Sequence, residues 1–434
     1  MMPAKTADFA HSAERPLPKR AGVVVIGGGV VGVTAALYLT QWRIPVVLCE
    51  KGRVAGEQSS RNWGWIRKQG RDLRELPLMI ESQRLWRQIE ADVGADIGLR
   101  EGGSTYLAET AEELDERAAW LEKARDFQLD SRLLSGAEVN AMLGQSAARF
   151  VGAIHTPSDI YAEPARAVPA VARLAAAAGA EIFEETAVRT IERSGGKLAQ
   201  VVTEHGSIAC DAALLAGGVW SRPFLENIGL SLPQLAVQSS AQRTTAAPLI
   251  SKSTLGAAGA SLRRRLDGGY TIARSGAARF DIIPAAFKHF AAFTPILKER
   301  WRILKLRFGS TYFGPLGRHR WQGDEVSPFE ALRVFDPEPD HRLLDDVLRS
   351  AKDLFPQLAE AAPVERWGGM IDVTPDEIPV IGTLEDLPGL VIATGLSGHG
   401  FGLGPGAGYL AAELAAGQAP LVDPSPFRYE RFAP

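Results

Sequence analysis

A short apolar run that ends in a cluster of glycines constrains the fold more than any other feature of this 434-residue sequence. Val23 to Ile26 leads directly into Gly27-Gly28-Gly29-Val30-Val31-Gly32, and a helical pattern follows to about Trp42. Pro45 to Cys49 then predicts a second buried strand, which ends at Glu50. Strand, tight turn, helix and strand make one βαβ unit, so the sequence predicts a parallel sheet covered by helices.

The spacing of the glycines adds a chemical prediction to this structural one. Gly27 permits a tight turn, Gly29 lets a pyrophosphate approach the backbone, and Gly32 lets helix and strand pack closely. The N-terminus of the helix then meets the phosphate charge. Glu50 lies 18 residues beyond Gly32, where a carboxylate can accept hydrogen bonds from ribose hydroxyls. The pattern predicts a dinucleotide site, and a purely structural glycine turn is the alternative.

A second glycine-rich loop, Gly395 to Gly406, favours a flavin dinucleotide over a nicotinamide one. The loop follows a buried strand and opens a helix, so its backbone N–H groups and positive dipole end point at one ligand. Reduced flavin is anionic around N1 and O2, and such a helix end would stabilise it. The sequence carries no second strand-linked fingerprint for a nicotinamide. FAD is therefore the predicted cofactor, and a helix start with flexible glycines is the alternative.

The charge balance argues against nucleic-acid binding. Lys and Arg number 48 against 51 Asp and Glu, a net charge of −3, which supplies no broad basic field. We expect a small-molecule substrate instead. The two cysteines, Cys49 and Cys210, end apolar runs and so predict buried small hydrophobes rather than disulfide or metal ligands. This usage fits a reducing compartment, and no metal site is expected.

Neither export nor a membrane span is predicted. Residues 1–20 contain no apolar stretch of signal-peptide length and are expected to form a flexible tail. No run approaches the roughly 18 to 20 apolar residues that cross a bilayer. The basic and aromatic region from Phe287 to Phe308 could lie on a membrane surface, but the alternation of Leu304, Leu306 and Phe308 with charged residues favours a half-exposed strand. A cytoplasmic location is expected, with peripheral membrane contact as the less favoured alternative.

The order of strand and helix patterns predicts an α/β protein with a discontinuous Rossmann-like FAD-binding domain and a second, mixed-sheet α+β substrate domain. Region 71–150 is rich in charged helical sequence, and region 233–345 carries glycine-rich turns and alternating strands such as Tyr270 to Arg274. The predicted boundaries are a tail at 1–20, the FAD-binding domain at 21–70, 151–232 and 346–434, and the substrate domain at 71–150 and 233–345.

Six short stretches, in their order and spacing, resemble the D-amino acid oxidase family of flavoproteins, which includes glycine oxidase, sarcosine oxidase and the bacterial D-amino acid dehydrogenases. They are Val23 to Gly32; Glu50 with Ser59 to Asn62; Leu214 to Ser221; Trp367 to Gly369; Thr374 to Asp376 with Pro379 to Gly382; and Gly398 to Phe401. The resemblance covers about residues 21–416. It implies a doubly wound FAD domain joined to a lobe built on a mixed sheet over the flavin.

The same resemblance implies most of the cofactor contacts. Ser59, Ser60 and Asn62 are expected along the pyrophosphate and flavin, Val188 at the adenine, and Gly398 to Leu403 at the pyrimidine ring of the flavin. The full set of expected FAD contacts is Gly27, Gly29, Val30, Val31, Gly32, Glu50, Lys51, Ser59, Ser60, Arg61, Asn62, Val188, Ala216, Gly217, Trp220, Gly369, Gly398, His399, Gly400, Phe401, Gly402 and Leu403.

The chemistry implied by the family is transfer of a hydride from the carbon that bears nitrogen to flavin N5, which gives an imine that water hydrolyses. Little protein acid or base is needed. The amine must nevertheless be neutral when the hydride leaves, so the site should desolvate it and lower its pKa. The predicted function is oxidation of the C–N bond of a small amine or amino acid, primary or N-alkylated. Oxygen, a quinone and another protein all stay open as the electron acceptor.

Departures from the family pattern bear on the substrate and on the flavin linkage. Many amino acid oxidising members place an arginine after Trp-Gly-Gly to hold the substrate carboxylate, and this chain has Met370 there. Sarcosine oxidase-like members attach flavin to a cysteine in the same stretch and place a lysine two residues after Gly-His-Gly. Here the cysteine is missing and the latter position is Gly402, so FAD is expected to be noncovalent. Arg67 is the candidate replacement for the carboxylate anchor, with a surface or phosphate-facing arginine as the alternative.

Other candidate catalytic positions are Trp65, His399 and Met370. Trp65, with Trp63, is expected to wall the site and exclude water, although tryptophans also pack at interfaces without a catalytic role. His399 is expected near the flavin, where its backbone matters more than its imidazole. Two other classes of protein stay open: an NAD(P)H-linked flavin hydroxylase or reductase, and a noncatalytic flavoprotein subunit.

Overall fold

The chain folds around two large mixed β-sheets and one small sheet. The computed structural model describes residues 9–11, 15–144, 149–300, 304–317 and 320–432. Its strands in chain order are β1 (Ala10–His11), β2 (Arg20–Ile26), β3 (Val46–Cys49), β4 (Trp65–Ile66), β5 (Arg100–Glu101), β6 (Ser104–Ala108), β7 (Arg132–Ser135), β8 (Gly152–Thr156), β9 (Ile160–Tyr161), β10 (Glu181–Glu184), β11 (Val188–Ser194), β12 (Lys197–Thr203), β13 (Gly206–Leu215), β14 (Leu235–Thr244), β15 (Thr254–Gly256), β16 (Ser261–Arg264), β17 (Tyr270–Ala273), β18 (Ala278–Asp281), β19 (Leu304–Arg307), β20 (Pro363–Val373), β21 (Val380–Thr383) and β22 (Leu390–Thr394).

The helices lie between and around these strands. They are α1 (Val30–Gln41), α2 (Gln58–Arg61), α3 (Leu76–Val93), α4 (Ala111–Lys123), α5 (Gly136–Leu143), α6 (Pro164–Ala177), α7 (Ser221–Asn227), α8 (Pro284–Lys288), α9 (Phe290–Arg300), α10 (Pro328–Ala331), α11 (His341–Leu354) and α12 (Gly400–Ala416). Within the described ranges, no helix is long and apolar enough to span a membrane.

The first sheet contains the predicted βαβ unit. Its strand order is β1-β10-β3-β2-β13-β12-β11, with β22 beside β13 and β21 beside β22. β10, β3, β2, β13 and β22 pair in parallel, and β3 and β22 are buried along their whole length. Helix α1 is buried over most of its surface because it packs against both α6 and α12. The carboxyl ends of the parallel strands therefore lie along one edge, as the sequence predicts for a nucleotide-binding sheet.

The second sheet is built mainly from antiparallel pairs. Its order is β19-β18-β14-β17-β16-β15-β6-β8-β7, and β20 pairs antiparallel with β14 from Leu235 opposite Val373 to Thr244 opposite Pro363. β4, β9 and β5 form the small sheet. β8 and β20 lie in the second sheet, although the sequence boundaries assign their residues to the FAD-binding domain. The long pairing of β14 with β20 fixes the position of Trp367 to Asp372 in the second sheet.

The N-terminal and the 284–308 regions carry more structure than their sequences indicate. Ala10–His11 pairs in parallel with β10, so part of the expected tail is a sheet edge, while residues 1–8 and 12–14 lie outside the described ranges. In the basic and aromatic region, α8 and α9 precede β19, which pairs with β18. Phe287, Phe290 and Phe308 are exposed there.

Candidate active site

A cavity of about 870 Å³ is lined by residues of both large sheets. It begins at the glycine turn after β2, passes the ends of β3 and β13 at Cys49 and Leu215, and reaches α8 and α9. Ligands of open α/β sheets bind outside the carboxyl ends of the parallel strands. The cavity starts at that edge, and its volume falls in the range of cofactor and substrate sites.

The glycine turn forms a backbone cradle whose Gly27 and Gly32 pack too closely against other main-chain atoms to carry side chains. Gly27 has φ +111°, and a Cβ there would lie 2.5 Å from the carbonyl oxygen of Ala216. A Cβ on Gly32 would lie 2.0 Å from the carbonyl oxygen of Gly27. Helix α1 begins directly after Gly29, and the Val30 N–H donates to Ser59 Oγ at 2.9 Å. Gly27, Gly29 and Val30 line the cavity, so the N-terminus of α1, where a phosphate group can bind, faces it.

Glu50 braces this cradle from the end of β3. Gly28 N–H donates to Glu50 Oε2 at 2.7 Å, and Gly52 N–H donates to Oε1 at 2.8 Å. Burial raises the pKa of Glu50, while nearby Lys51 and the two backbone donors oppose that shift. Each carboxylate oxygen retains a second acceptor site. Glu50 lines the cavity, where a ribose hydroxyl can use that capacity.

Most of the predicted cofactor contacts line the cavity. They are Gly27, Gly29, Val30, Val31, Glu50, Lys51, Ser59, Arg61, Asn62, Val188, Ala216, Gly217, Trp220, Gly369, Gly398, His399, Gly400, Phe401 and Gly402. Gly32, Ser60 and Leu403 are not on its wall. Gly32 packs under Gly27, Ser60 Oγ donates to the Glu57 carbonyl at 3.3 Å, and Leu403 is fully buried in the core.

Lys51 and Arg61 line the cavity, but their charged groups are bound to the protein. The Lys51 ammonium donates to Glu57 Oε1 at 2.7 Å and to the carbonyls of Leu332 and Arg333, both at 2.8 Å. Arg61 donates to Asp336 at 2.7 Å. These bonds connect residues 51–61 to the segment before α11. Lys51 and Arg61 therefore hold in place the part of the cavity wall that lies near the glycine turn.

The loop before α12 also lines the cavity. Gly398 has φ +84°, and the helix begins at Gly400. Buried Asp372 accepts the Gly395 N–H at 2.7 Å and so fixes the start of this loop, and burial raises the pKa of Asp372. A helix N-terminus held in this way directs N–H groups at one ligand.

Strand alternation decides which residues of β20 face the cavity. Gly369 and Ile371 line it. Met370 points to the other side, is 6% exposed, and belongs to an apolar core cluster. A side chain at position 370 therefore lies away from the cavity in this register.

Two arginines from the loop after β4 meet at the cavity wall. Neither Arg67 nor Arg71 has an ion-pair partner among the described residues, and both line the cavity. Arg67 donates to the Gln69 carbonyl, and its guanidinium carbon lies 5.1 Å from the ring centroid of Tyr106. Arg71 is 4% exposed, its Nε donates to the Arg67 carbonyl at 3.2 Å, and its buried Nη1 has no hydrogen-bond partner among the described residues. Burial and the charge of Arg67 lower the pKa of Arg71 to about 10.

A buried carboxylate and an imidazole stand beside these arginines. His399 Nδ1 lies 3.1 Å from Glu75 Oε2 and 3.3 Å from Oε1, and both residues line the cavity. Glu75 is fully buried at the start of α3. Burial and Arg71 lower the pKa of His399 to about 4, with a further lowering from Arg67, while Glu75 acts in the opposite direction. The imidazole is therefore neutral at pH 7.

An aromatic wall adjoins the arginines. The ring centroids of Trp63 and Trp65 are 6.1 Å apart, and those of Trp65 and Tyr106 are 5.6 Å apart. Farther along, the wall becomes apolar with residues from β18, α8, α9 and β19. These are Phe280, Ile282, Ala286, Phe287, Phe290, Phe293, Ile296, Leu297 and Leu306. This end of the cavity suits an apolar group next to a charged one.

Sequence reasoning missed Arg71, Glu75 and Asp372. Arg67, Arg71 and Glu75 precede α3 in a segment that is not helical, so no periodic pattern in the sequence places them on a common surface. Nothing in the sequence pairs Glu75 with His399, which lies 324 residues away.

A backbone cradle at the carboxyl end of a parallel sheet, opening onto an apolar chamber with fixed charges, is the arrangement of a flavin-dependent oxidoreductase. The glycine turn, the Glu50 acceptor and the N-termini of α1 and α12 all line the cavity and fit FAD.

The chain belongs to the family of FAD dependent oxidoreductases called DAO, whose family model matches residues 22–414. It is 26% identical to a glycine oxidase of Pseudomonas aeruginosa over 414 residues, covering 93% of this chain and 97% of that protein. An L-amino acid deaminase from Proteus myxofaciens, solved in complex with anthranilate, is 33% identical, with a TM-score of 0.93 and coverage of 99% of this chain and 97% of that one. An L-amino acid deaminase from Proteus vulgaris is 30% identical, with a TM-score of 0.91 and coverage of 98% and 100%.

These similarities confirm the family, the fold class and the class of activity predicted from the sequence. The chain is an FAD-dependent oxidoreductase that acts on the C–N bond of amines or amino acids.

Proposed function

We propose that this chain oxidises the Cα–N bond of an α-amino acid with an apolar side chain, using noncovalently bound FAD. The observation that carries the proposal is the pair Arg67 and Arg71 on the cavity wall. A buried guanidinium without an anionic partner is costly, and a carboxylate ligand relieves that cost. The planar fork of arginine also fixes both carboxylate oxygens and thereby the direction of the reacting C–H bond.

The neighbouring wall supports an apolar side chain on the substrate. Trp65 and Tyr106 adjoin Arg67, and the aromatic and aliphatic residues of α8 and α9 follow. A ligand whose carboxylate lies at the arginines can place an apolar group in this chamber and displace water from it. The similarity to a glycine oxidase and to two L-amino acid deaminases supports an amino acid as the substrate class.

FAD, when bound, supplies the hydride acceptor for this reaction. The glycine turn and Glu50 would hold its dinucleotide end, and the loop from Gly398 to Gly402 would hold the flavin, because all of these residues line the cavity. The cysteine on the cavity wall, Cys49, lies beside Glu50, and burial raises the pKa of its thiol to about 12. Such a thiol is a poor nucleophile, which supports a noncovalent flavin. Acid precipitation should release intact FAD into the supernatant, and flavin retained in the pellet would contradict this assignment.

We place the chain in the cytoplasm, because Cys49 and Cys210 are buried and unpaired. Oxygen, a quinone or a protein is the electron acceptor, and the rate of flavin reoxidation with each separates them. Exposed Phe287, Phe290 and Phe313 favour peripheral membrane contact as the alternative location, which vesicle co-sedimentation measures.

The decisive experiment removes the arginines one at a time. The FAD-loaded protein is mixed anaerobically with L- and D-phenylalanine and with phenethylamine, and bleaching of the flavin is followed. Arg71→Ala and Arg67→Ala should each lower kcat/KM for the reactive amino acid by about 3 kcal/mol, since each removes a guanidinium that would pair with the substrate carboxylate. The affinity for FAD should stay unchanged.

Arg74→Ala is the matched control. Arg74 is exposed, pairs with Asp72 at 3.0 Å and does not line the cavity, so its removal should leave kcat/KM within a factor of about two. Equal losses for phenylalanine and for phenethylamine in the Arg71 and Arg67 variants would show that the arginines support the loop, and would contradict a carboxylate substrate.

A further inference from the structure

The Glu75–His399 pair is a polar feature of the cavity that substrate anchoring does not use. Glu75 is fully buried, and its carboxylate contacts the imidazole rather than either arginine. Burying an ionisable carboxylate costs several kcal/mol unless it is paired, so such groups cluster at functional sites.

The hydrogen bond defines which imidazole nitrogen is free. A carboxylate oxygen accepts, so Nδ1 carries the proton in the contact with Glu75. In a neutral imidazole Nε2 then holds a lone pair. Among the described residues Nε2 makes no hydrogen bond, and the His399 side chain, on the cavity wall, keeps 28% of its surface exposed. The pair therefore presents a proton acceptor to the cavity.

We infer that Glu75 and His399 form the general base for the proposed amino acid oxidation: His399 Nε2 accepts the proton that the substrate ammonium loses, and Glu75 orients and stabilises the resulting imidazolium. The inference rests on the proposed function. His399 touches the substrate, and Glu75 is a positioning residue that acts through it.

The proton and electron balance is complete with the cofactor already assigned. The ammonium N–H bond breaks and its proton goes to Nε2. FAD, when bound, would accept the hydride released from Cα, while the nitrogen lone pair forms the C=N bond of the iminium product. The amino acid is oxidised by two electrons, FAD is reduced by two, and the imidazolium returns its proton to solvent after the imine has left.

The charged groups around His399 make its pKa depend on whether a substrate carboxylate is bound. The titratable and charged groups near His399 are Arg67, Arg71, Asp72 and Glu75, and the phenol of Tyr106 adjoins the two arginines. The arginines hold the pKa of His399 low in the free site. A carboxylate bound to them offsets their charge, so the pKa of His399 rises only when an amino acid is present. An amine without a carboxylate would lack this activation.

Proton uptake tests the coupling without any turnover. Benzoate, which cannot be oxidised, is titrated into the FAD-loaded protein at pH 5.5 in two buffers of different ionisation enthalpy. The wild type should take up a substantial fraction of one proton per benzoate bound, and His399→Asn should take up none. Equal uptake by the two proteins would overturn the inference.

Flavin reduction provides the second readout. With a reactive amino acid, Glu75→Gln should slow anaerobic flavin reduction by about 10- to 100-fold at pH 7, because a general base contributes at least that much. The loss should shrink to less than about threefold at a pH above the amine pKa of the substrate, where no base is needed. Glu81→Gln, on the exposed face of the same helix and paired with Arg84 at 2.8 Å, is the control and should match the wild type.

A loss in Glu75→Gln that stays constant with pH would show a merely structural role and would overturn the inference. If Glu75→Gln fails to fold, His399→Asn replaces it in the same pH series with the same expected result. If no amino acid reduces the flavin, the proposed function fails, whereas the benzoate titration still decides whether His399 is coupled to the arginines.

Discussion

The two ends of the cavity are lined by different kinds of atoms, main-chain atoms at the cofactor end and side-chain atoms at the substrate end. At the cofactor end, Gly27, Gly29 and the N-terminus of α1 form the surface with backbone atoms, and these residues belong to one continuous βαβ unit. At the substrate end, Arg67, Arg71, Glu75 and His399 form it with side chains that come from two distant parts of the chain.

Because of this difference, the two ends of the cavity should respond differently to amino-acid substitutions. A backbone cradle fails when any side chain is added, because the space is set by the course of the main chain. When a residue of a side-chain cluster is substituted, the protein still folds but its catalytic activity falls. Changes at the cofactor end should therefore alter FAD binding, and changes at the substrate end should alter catalysis with FAD retained.

The largest effect is expected from Gly27→Ala. Its φ of +111° strains any L side chain, and the new Cβ would lie 2.5 Å from the Ala216 carbonyl oxygen on the cavity wall. Strain and the displaced strand end together should weaken FAD binding by about 4 kcal/mol. Titration of the apoprotein with FAD measures this.

Gly206→Ala is the control for Gly27→Ala. Gly206 has φ +128°, and a Cβ there meets nothing within 4 Å. It should lower the melting temperature slightly and leave FAD affinity unchanged. Similar FAD affinities for the two variants would show that the close approach at Gly27 is unimportant to the cofactor end.

A smaller effect at the same end is expected from Glu50→Ala. The carboxylate braces Gly28 and Gly52 and faces the cavity, so its loss should weaken FAD binding by about 2 kcal/mol through lost charge-assisted hydrogen bonds. Glu184→Ala is a suitable comparison, because Glu184 accepts the Val54 N–H at 2.7 Å but does not line the cavity. That variant should unfold more readily and bind FAD normally. Unchanged FAD affinity in Glu50→Ala would contradict the placement of the ribose.

The cofactor end could be predicted from the sequence because its determinants are local. A strand, a turn that needs glycine and a following helix leave a pattern within about thirty residues. The helix predicted to about Trp42 ends at Gln41, and the predicted strand Tyr270 to Arg274 ends at Ala273. Strand membership was harder to predict, because β8 and β20 join the second sheet through pairings with distant strands.

The substrate end could be predicted only in part because its determinants are tertiary. Arg67 was identified from its position in the loop that should approach the flavin, and it lines the cavity. Arg71 and Glu75 read as ordinary charged residues before a helix until the fold buries them. Met370 illustrates the converse: the resemblance selected a position whose side chain the register of β20 turns into the core.

The smallest effect is expected from a change at Asp159, which supports the substrate end of the cavity without lining it. This change tests whether the two ends depend on different residues. Fully buried Asp159 accepts the Lys68 N–H at 2.8 Å and Gln83 Nε2 at 2.9 Å through Oδ1, and the Gln69 N–H at 3.4 Å through Oδ2. Gln69 in turn accepts from Arg67 through its carbonyl. Asp159 therefore holds the backbone on which the arginine rests.

In Asp159→Asn the amide oxygen can keep the contacts to Lys68 and Gln83, while the amide nitrogen faces the Gln69 N–H, and two donors repel. A shift of Gln69 should move Arg67 and lower kcat/KM for the amino acid by about 1 kcal/mol, roughly fivefold. Burial raises the pKa of Asp159, and the hydrogen bonds from Lys68 and Gln83 oppose that shift. Asp130→Asn, an exposed change that affects the hydrogen bond to Ser158 at 2.6 Å, should leave kcat/KM unchanged. If Asp159→Asn weakened FAD binding as much as catalysis, the two ends would share their support, and the separation between a backbone-built and a side-chain-built end would be wrong.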